Sequence, residues 1–215
     1  MSITRHFSRT ALACTLILGW AAPLSAQSVG LPAPRLLTTM PMGGQVGTEF
    51  EVAITGENLD EARDLIFSDP RITAKRKLDP SGAPIANRYG VAIASACPAG
   101  LYEARVMTRL GISSSRIFAV GTLTEVVPAK PNRTLATAQA LPLNCVCNGT
   151  VADRSIDFYT FQAKKGQRLV VDCATRGIDS KLNATVIIGD SAGRDLLVER
   201  RGGVDAQAVG PAGGL

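Results

Sequence analysis

Polar and apolar residues alternate over several short stretches of this chain, the period of β-strands with one buried face. Glu49-Phe50-Glu51-Val52-Ala53-Ile54-Thr55 is the clearest run, with Gly43-Gly44 ahead of it and Gly56-Glu57-Asn58 behind it as turn chemistry. Leu65-Ile66-Phe67, Ile72-Thr73-Ala74 and Tyr89-Gly90-Val91-Ala92-Ile93 are further candidate strands. Residues 100–108 alternate again, and 115–121 close the series. Glu61 to Asp64 is a candidate single helical turn, and the pattern predicts no long amphipathic helix beyond the first 26 residues. Short strands punctuated by Gly, Pro, Asn and Asp predict an antiparallel sandwich over residues 41–123.

Two prolines interrupt the pattern in Val127-Pro128-Ala129-Lys130-Pro131-Asn132, which makes 124–133 a linker. A second β series fills 134–200, with strands expected near 146–151, 158–162, 168–174 and 184–188. Lys164-Lys165-Gly166-Gln167 is suited to a hairpin turn, and Gly189-Asp190-Ser191-Ala192-Gly193 to another. Residues 201–215, rich in Gly and Ala, have neither period and read as a disordered tail. A linker to a further domain, a truncation and a frame-shifted end all fit that tail.

The start of the chain argues for export. Arg5 and Arg9 precede a nearly uninterrupted apolar run from Ala11 to Ala22, and Pro23-Leu24-Ser25-Ala26 supplies small residues before Gln27. That run of 12 residues is shorter than the ~20 a membrane span needs, so 1–26 reads as a signal peptide. Residues 27–40 are a Pro-rich irregular lead-in. No later stretch is apolar enough to span a bilayer, so the mature chain is expected to be secreted, periplasmic or at the cell surface.

Cleavage after Ala26 removes two arginines and takes the net charge from +5 to +3. So small a charge does not point to nucleic acid, and Lys75-Arg76-Lys77, with no aromatics interleaved, reads as a solvated strand end. The single histidine, His6, lies inside the signal. Its loss removes Ser-His-Asp and Cys-His activation, histidine metal sites and imidazole acid–base chemistry together. Asp153, Asp157, Asp172, Asp179 and Asp190 sit at expected turns or solvent-facing strand positions. Ser113-Ser114-Ser115 has no base to activate it. Phosphate-binding loops need a strand-to-helix context that is missing here. The sequence therefore predicts no catalytic residue, no metal site and no cofactor. The sequons at Asn132, Asn148 and Asn183 are read as chance matches.

Cys97, Cys145, Cys147 and Cys173 remain after the signal, an even number in a chain bound for an oxidising compartment, and are candidate disulfide cysteines. Alternate residues of an extended strand sit too far apart for a relaxed Cys145–Cys147 bond. Two pairings would join Cys97 to the second half; one bond within the second half with two thiols left over fits equally well. Cys-x-Cys spacing with distant partners is weak evidence for zinc.

Two stretches resemble known families. Pro41-Met42-Gly43-Gly44-Gln45-Val46-Gly47-Thr48 with Val52-Ala53-Ile54-Thr55-Gly56-Glu57-Asn58-Leu59 resembles the opening of IPT/TIG-like immunoglobulin-type domains. Pro98-Ala99-Gly100-Leu101-Tyr102 through Phe118-Ala119-Val120 is similar to their closing hairpin, and the match covers about residues 32–123. Gly47 and Gly56 would permit turns there, and Asn58 tolerates left-handed backbone. The second half resembles the bacterial pre-peptidase C-terminal (PPC) domain, a jelly-roll-like sandwich. The residues that carry this are Pro131-Asn132, Ala138-Gln139, Asn148-Gly149-Thr150-Val151, Asp157-Phe158-Tyr159-Thr160-Phe161 and Lys165-Gly166-Gln167-Arg168-Leu169. Asp179-Ser180-Lys181-Leu182-Asn183 and Asp190-Ser191-Ala192-Gly193-Arg194 continue it. The module order is similar to that of exported proteins of planctomycete-like bacteria. Together the resemblances imply an all-β chain of two tandem β-sandwiches after a signal peptide, Ig-like and then jelly-roll-like. The second is expected to be truncated, because the family continues with further strands.

The implied function is an exported non-catalytic binding or architectural module whose partner is an unspecified protein or polysaccharide. The alternatives are a non-catalytic accessory remnant of a secreted hydrolase such as a protease, or a fragment with no independent function; fold analogy confers no activity. Some relatives bind calcium through an acidic lead-in and an Asp-x-Asp-x-Tyr strand. Here the lead-in is Pro128-Ala129-Lys130-Pro131-Asn132-Arg133, and Ser155-Ile156-Asp157-Phe158-Tyr159 keeps one aspartate. Calcium takes about six to eight oxygens, several from carboxylates, so Asn132 and Asp157 beside two cations do not suffice. Millimolar calcium is expected to leave the melting temperature of the purified protein unchanged; a calcium-dependent rise in a thermal melt would overturn this.

Overall fold

In the computed structural model, residues 30, 32–152, 154–164, 166–200 and 206–210 are described. The chain divides into two compact units, Met1–Leu31 and Pro32–Leu215, and every strand among the described residues lies in the second. The expected signal peptide, 1–26, lies outside the described residues, as do Asp153 and Lys165.

The fold is all-β. Ten strands come from the first half: β1 (Arg35–Met40), β2 (Gly43–Gln45), β3 (Glu49–Glu57), β4 (Asp64–Phe67), β5 (Ile72–Leu78), β6 (Pro84–Ile93), β7 (Gly100–Thr108), β8 (Gly111–Ile112), β9 (Arg116–Gly121) and β10 (Thr124–Val126). One sheet has the order β1-β3-β6-β5, and a second has the order β2-β9-β7-β4 with β8 paired to β7. Alternation turns Val52 and Ile54 of β3, and Tyr89, Val91 and Ile93 of β6, inward from the first sheet. Ala104 and Val106 of β7 and Phe118 and Val120 of β9 turn inward from the second. All of these join one buried cluster, so the two sheets face each other as a sandwich. Phe118, fully buried, has its ring 6.4 Å from Phe50 and 4.9 Å from Phe67, so an aromatic from β3 and one from β4 meet on it.

Several expectations need correction. The lead-in of 27–40 is not wholly irregular: Arg35–Met40 is β1, antiparallel to β3 and carrying fully buried Leu36. Gly43-Gly44 is no turn but part of β2, parallel to β9. A Cβ on Gly43 would overlap the Ala119 carbonyl, and one on Gly44 would overlap the Phe50 ring, so these glycines permit close sheet contact. Glu61 to Asp64 is not helical, because Glu61 has a left-handed backbone and Asp64 begins β4. Asn58 is left-handed, and its amide donates to Ala33 O. Lys75-Arg76-Lys77 lies on β5, at one end of the first sheet, and Lys77 and Arg88 both pair with Glu51 across the exposed face.

The second half contains β11 (Gln139–Ala140), β12 (Cys145–Cys147), β13 (Tyr159–Thr160), β14 (Leu169–Cys173), β15 (Thr185–Gly189), β16 (Asp195–Arg200) and β17 (Ala206–Gly210). The linker of 124–133 is partly strand, since β10 runs parallel to β12. β11 is parallel to β13, β14 is antiparallel to β17, and β15 is antiparallel to β16. The Gly189 to Gly193 turn closes the β15–β16 hairpin, with Asp190 accepting from Ala192 N and Arg194 N. A turn also forms at Lys164–Gln167, but β13 and β14 do not pair across it. Within the tail expected to be disordered, 206–210 forms β17, which pairs antiparallel with β14.

The two halves differ in burial. Apart from Pro34, every buried apolar side chain among the described residues lies between Leu36 and Val120. Beyond Val120 the buried residues among those described are Asn132 and Thr175, both polar. Ladders of two strands are marginal without an apolar face to cover them. Phe118→Ala is expected to cost about 3–5 kcal/mol, whereas Ile187→Ala on β15 is expected to cost under about 1 kcal/mol. Urea unfolding read by circular dichroism compares them; equal losses would show that the core is not confined to the first half.

Candidate functional site

The four cysteines are thiols in the structure. Cys97 is buried in the first sandwich, with its sulfur 3.5 Å from Tyr102 Oη and 3.8 Å from Pro98 O. Tyr102 Oη donates to the same carbonyl at 2.7 Å. Beside them Arg71 grips Asp69 through Nε and Nη2, at 2.9 and 2.6 Å, and donates from Nη1 to Ala96 O. The Arg71 side chain and backbone N–H hold the Asp69 carboxyl at about 2, below its ordinary 3.8. This corner ties the loop after β4 to the loop after β6.

A second cluster gathers on β10, β12 and β13. Glu125 and Asn148 are bonded to each other, and Asn148 Oδ1 accepts from Met42 N at 3.0 Å, which joins the halves. Burial raises the Glu125 carboxyl above its usual range, against the lowering effect of Asn148. Cys145 and Cys147 are half-buried on β12 with Val146 between them. Burial pushes both thiols up, while a hydrogen bond with Tyr159 opposes this at Cys147. Tyr159 is in turn hydrogen-bonded to Asn132, whose Nδ2 donates to Phe158 O at 2.9 Å. Arg133 Nε stands 3.2 Å from Asp157 Oδ1, close enough for an ion pair but not aligned for a hydrogen bond, so that buried oxygen accepts none. The arginine thus offsets the charge of that carboxylate.

The sequence-derived candidates disperse. Asp179 Oδ2 accepts from Ile117 N at 2.9 Å, two residues before the stretch of β9 that β2 covers. Asp190 caps its hairpin, and Asp172 lies on an exposed position of β14. Ser113 Oγ accepts from Val106 N and donates to Ser114 O, a structural role. Asn132 is buried and Asn148 is fully engaged, which argues against glycosylation at those two sequons. A shallow depression of about 580 Å³ is lined by Leu143, Gln162, Ala163, Lys164, Gly166 and Gln167, without a carboxylate or thiol among them. Among the described residues no three His, Cys, Asp or Glu converge as a metal cage, and no helix is long and apolar enough to cross a membrane. The Asn132–Tyr159–Cys147 cluster escaped sequence reading, because it brings a loop residue and two strands of separate ladders together.

Because Asp69 titrates lower in the folded state, its stabilising contribution is complete above about pH 4 and is lost as pH falls toward 2. Asp69→Asn is therefore expected to lower the melting midpoint at neutral pH, with the gap to the parent closing between about pH 4 and pH 2. A gap independent of pH in that window would refute the assignment.

No family model and no curated protein matches the chain. Among solved structures, it is similar to the SGBP-B protein of the Bacteroides ovatus mixed-linkage glucan utilization locus, solved in complex with a mixed-linkage heptasaccharide. The identity is 10% and the TM-score 0.29, over 79% of this chain and 34% of that one. The chain therefore spans about a third of that protein's length.

Proposed function

We propose that the chain is an exported, non-catalytic binding or architectural module that presents β-sandwich surfaces to a protein or polysaccharide. The observation that carries this reading is the use made of its acidic side chains. Asp69 is gripped by Arg71, Glu51 by Lys77 and Arg88, Asp157 by Arg133 and Asp190 by Arg194. Asp179 is tied to β9. Acid–base and nucleophilic mechanisms need such a group aimed at a space where substrate can sit; these groups are aimed at their own backbone and neighbours. The only histidine is His6, within the segment read as a signal. The IPT/TIG-like reading of the first half is supported by its two facing sheets, and the PPC-like reading of the second rests on its sequence resemblance.

A second reading, a fragment or accessory remnant of a secreted hydrolase, is favoured by the lack of buried apolar side chains among the described residues beyond Val120. One set of measurements on purified residues 27–215 addresses both. The chain is expected to melt cooperatively, to show no turnover of peptide, ester and glycoside substrates, and to be retarded in affinity electrophoresis through at least one polysaccharide or protein-loaded gel. Turnover abolished by a single Asp or Glu substitution would overturn the non-catalytic reading. A chain that melts without cooperativity and binds nothing would select the fragment.

A further inference from the structure

We propose that Asn148-Gly149 is a deamidation site, closed while the first sandwich and the β12 region are joined, whose reaction makes their parting permanent. Asn148 is the one asparagine of the chain that is followed by glycine. Spontaneous deamidation begins when the backbone nitrogen of the next residue attacks the side-chain Cγ of asparagine. A glycine in that next position has no Cβ to block the approach. Gly149 is exposed, and among the described residues nothing accepts from its N–H. The glycine is itself required, because a Cβ there would lie 2.6 Å from Tyr159 Oη. The chain therefore keeps this reactive dipeptide at a place where the glycine has no ready substitute.

The asparagine is required because the joint needs a donor and an acceptor on one short side chain. Oδ1 accepts from Met42 N at 3.0 Å while Nδ2 donates to Glu125 Oε2. A carboxamide supplies both functions, whereas a carboxylate only accepts. Asn148 N also donates to Val126 O at 2.8 Å, which pins the residue to the end of β10. Ring closure needs Cγ to swing within bonding distance of Gly149 N. With both ends of the carboxamide tied, that swing waits for the bonds to Met42 and Glu125 to break, so the closed joint protects the site. Once they break, Gly149 N forms a bond to Cγ, the Cγ–Nδ2 bond breaks, and ammonia leaves a succinimide behind. Water then opens the ring at either carbonyl, giving aspartate or isoaspartate with no change of oxidation state. Aspartate sets a second carboxylate against half-buried Glu125, where burial already disfavours the charge of one. Isoaspartate lengthens the backbone by one methylene and shifts Gly149 against Tyr159. Either product withdraws the donor that Glu125 uses, and the halves cannot rejoin as before.

The test incubates the full-length protein, folded and in guanidinium chloride, and follows it by peptide mass spectrometry that separates asparagine, aspartate and isoaspartate. Unfolded protein is expected to deamidate at Asn148 ahead of every other asparagine. Folded protein is expected to react about tenfold or more slowly, since only the open fraction reacts. Folded protein that reacts as fast as unfolded protein overturns the protection by the joint. Unfolded protein that keeps Asn148 intact while other asparagines react overturns the site. Asn148→Asp reproduces one product and is expected to speed hydrogen exchange at the Met42 amide about tenfold. Asn148→Asp/Glu125→Gln is expected to restore protection, because the glutamine amide then donates and the aspartate accepts from both sides. Unchanged exchange in Asn148→Asp, or no recovery in the double variant, overturns the claim that the product parts the halves. The comparison of folded and unfolded parent protein decides the site even where a variant misfolds.

Discussion

Strand β9 is held from several directions, and most of the molecule is arranged by what it holds. It pairs antiparallel with β7 on one side and parallel with β2 on the other. Inward, it drives Phe118 between Phe50 and Phe67, so that burial of one ring couples a strand of each sheet. From its first residue, Arg116 Nε reaches across to Leu37 O on β1. Protein interiors are packed too tightly for such a residue to shift alone. The placement of β9 therefore sets the separation of the sheets and the position of the loops between them.

The second half is attached by a different kind of force. Its anchors are polar: Asn148 on the Met42 amide, Asp179 on the Ile117 amide, and the β10–β12 ladder continuing from the end of the first sandwich. Each carboxamide or carboxylate fills a backbone donor that the sandwich leaves open at the end of a strand, and an unfilled donor there would cost about 1–3 kcal/mol if buried. Contacts of this kind specify position well and contribute modestly to stability. Hence the β12 region is placed with definition although no apolar core lies beneath it.

Strands with strict alternation, such as β3 and β7, were legible in the sequence because burial on one face leaves a period of two that few other structures share. The all-β class came from them. β1 and β2 were not legible: prolines flank the former, and the glycines of the latter serve close packing against β9 while looking like turn residues. β10 hid in a segment whose prolines, Pro128 and Pro131, come after it without interrupting it. In the β12 cluster, the shared face of Cys145 and Cys147 could be read from their spacing alone. Their neighbours could not, because Tyr159 on β13 and Asn132 in the preceding loop come near β12 only through tertiary packing. The turn role of Asp190 was legible from its place at a hairpin end, whereas the burial of Asp157 against Arg133 and the acceptor role of Asp179 on β9 were not.

The charged run on β5 has a consequence of its own. Sheet ends carry rows of backbone donors and acceptors that invite a strand from another molecule. Here Lys75, Arg76 and Lys77 are all exposed on β5, and any incoming strand would have to desolvate three cations within a few residues of one another. Lys77 is further committed to Glu51 on the sheet face, which keeps that charge anchored near the rim instead of swinging free. The first sandwich thus carries a guard against edge-to-edge assembly, and crowding of many copies at a surface would leave it as separate particles along that side.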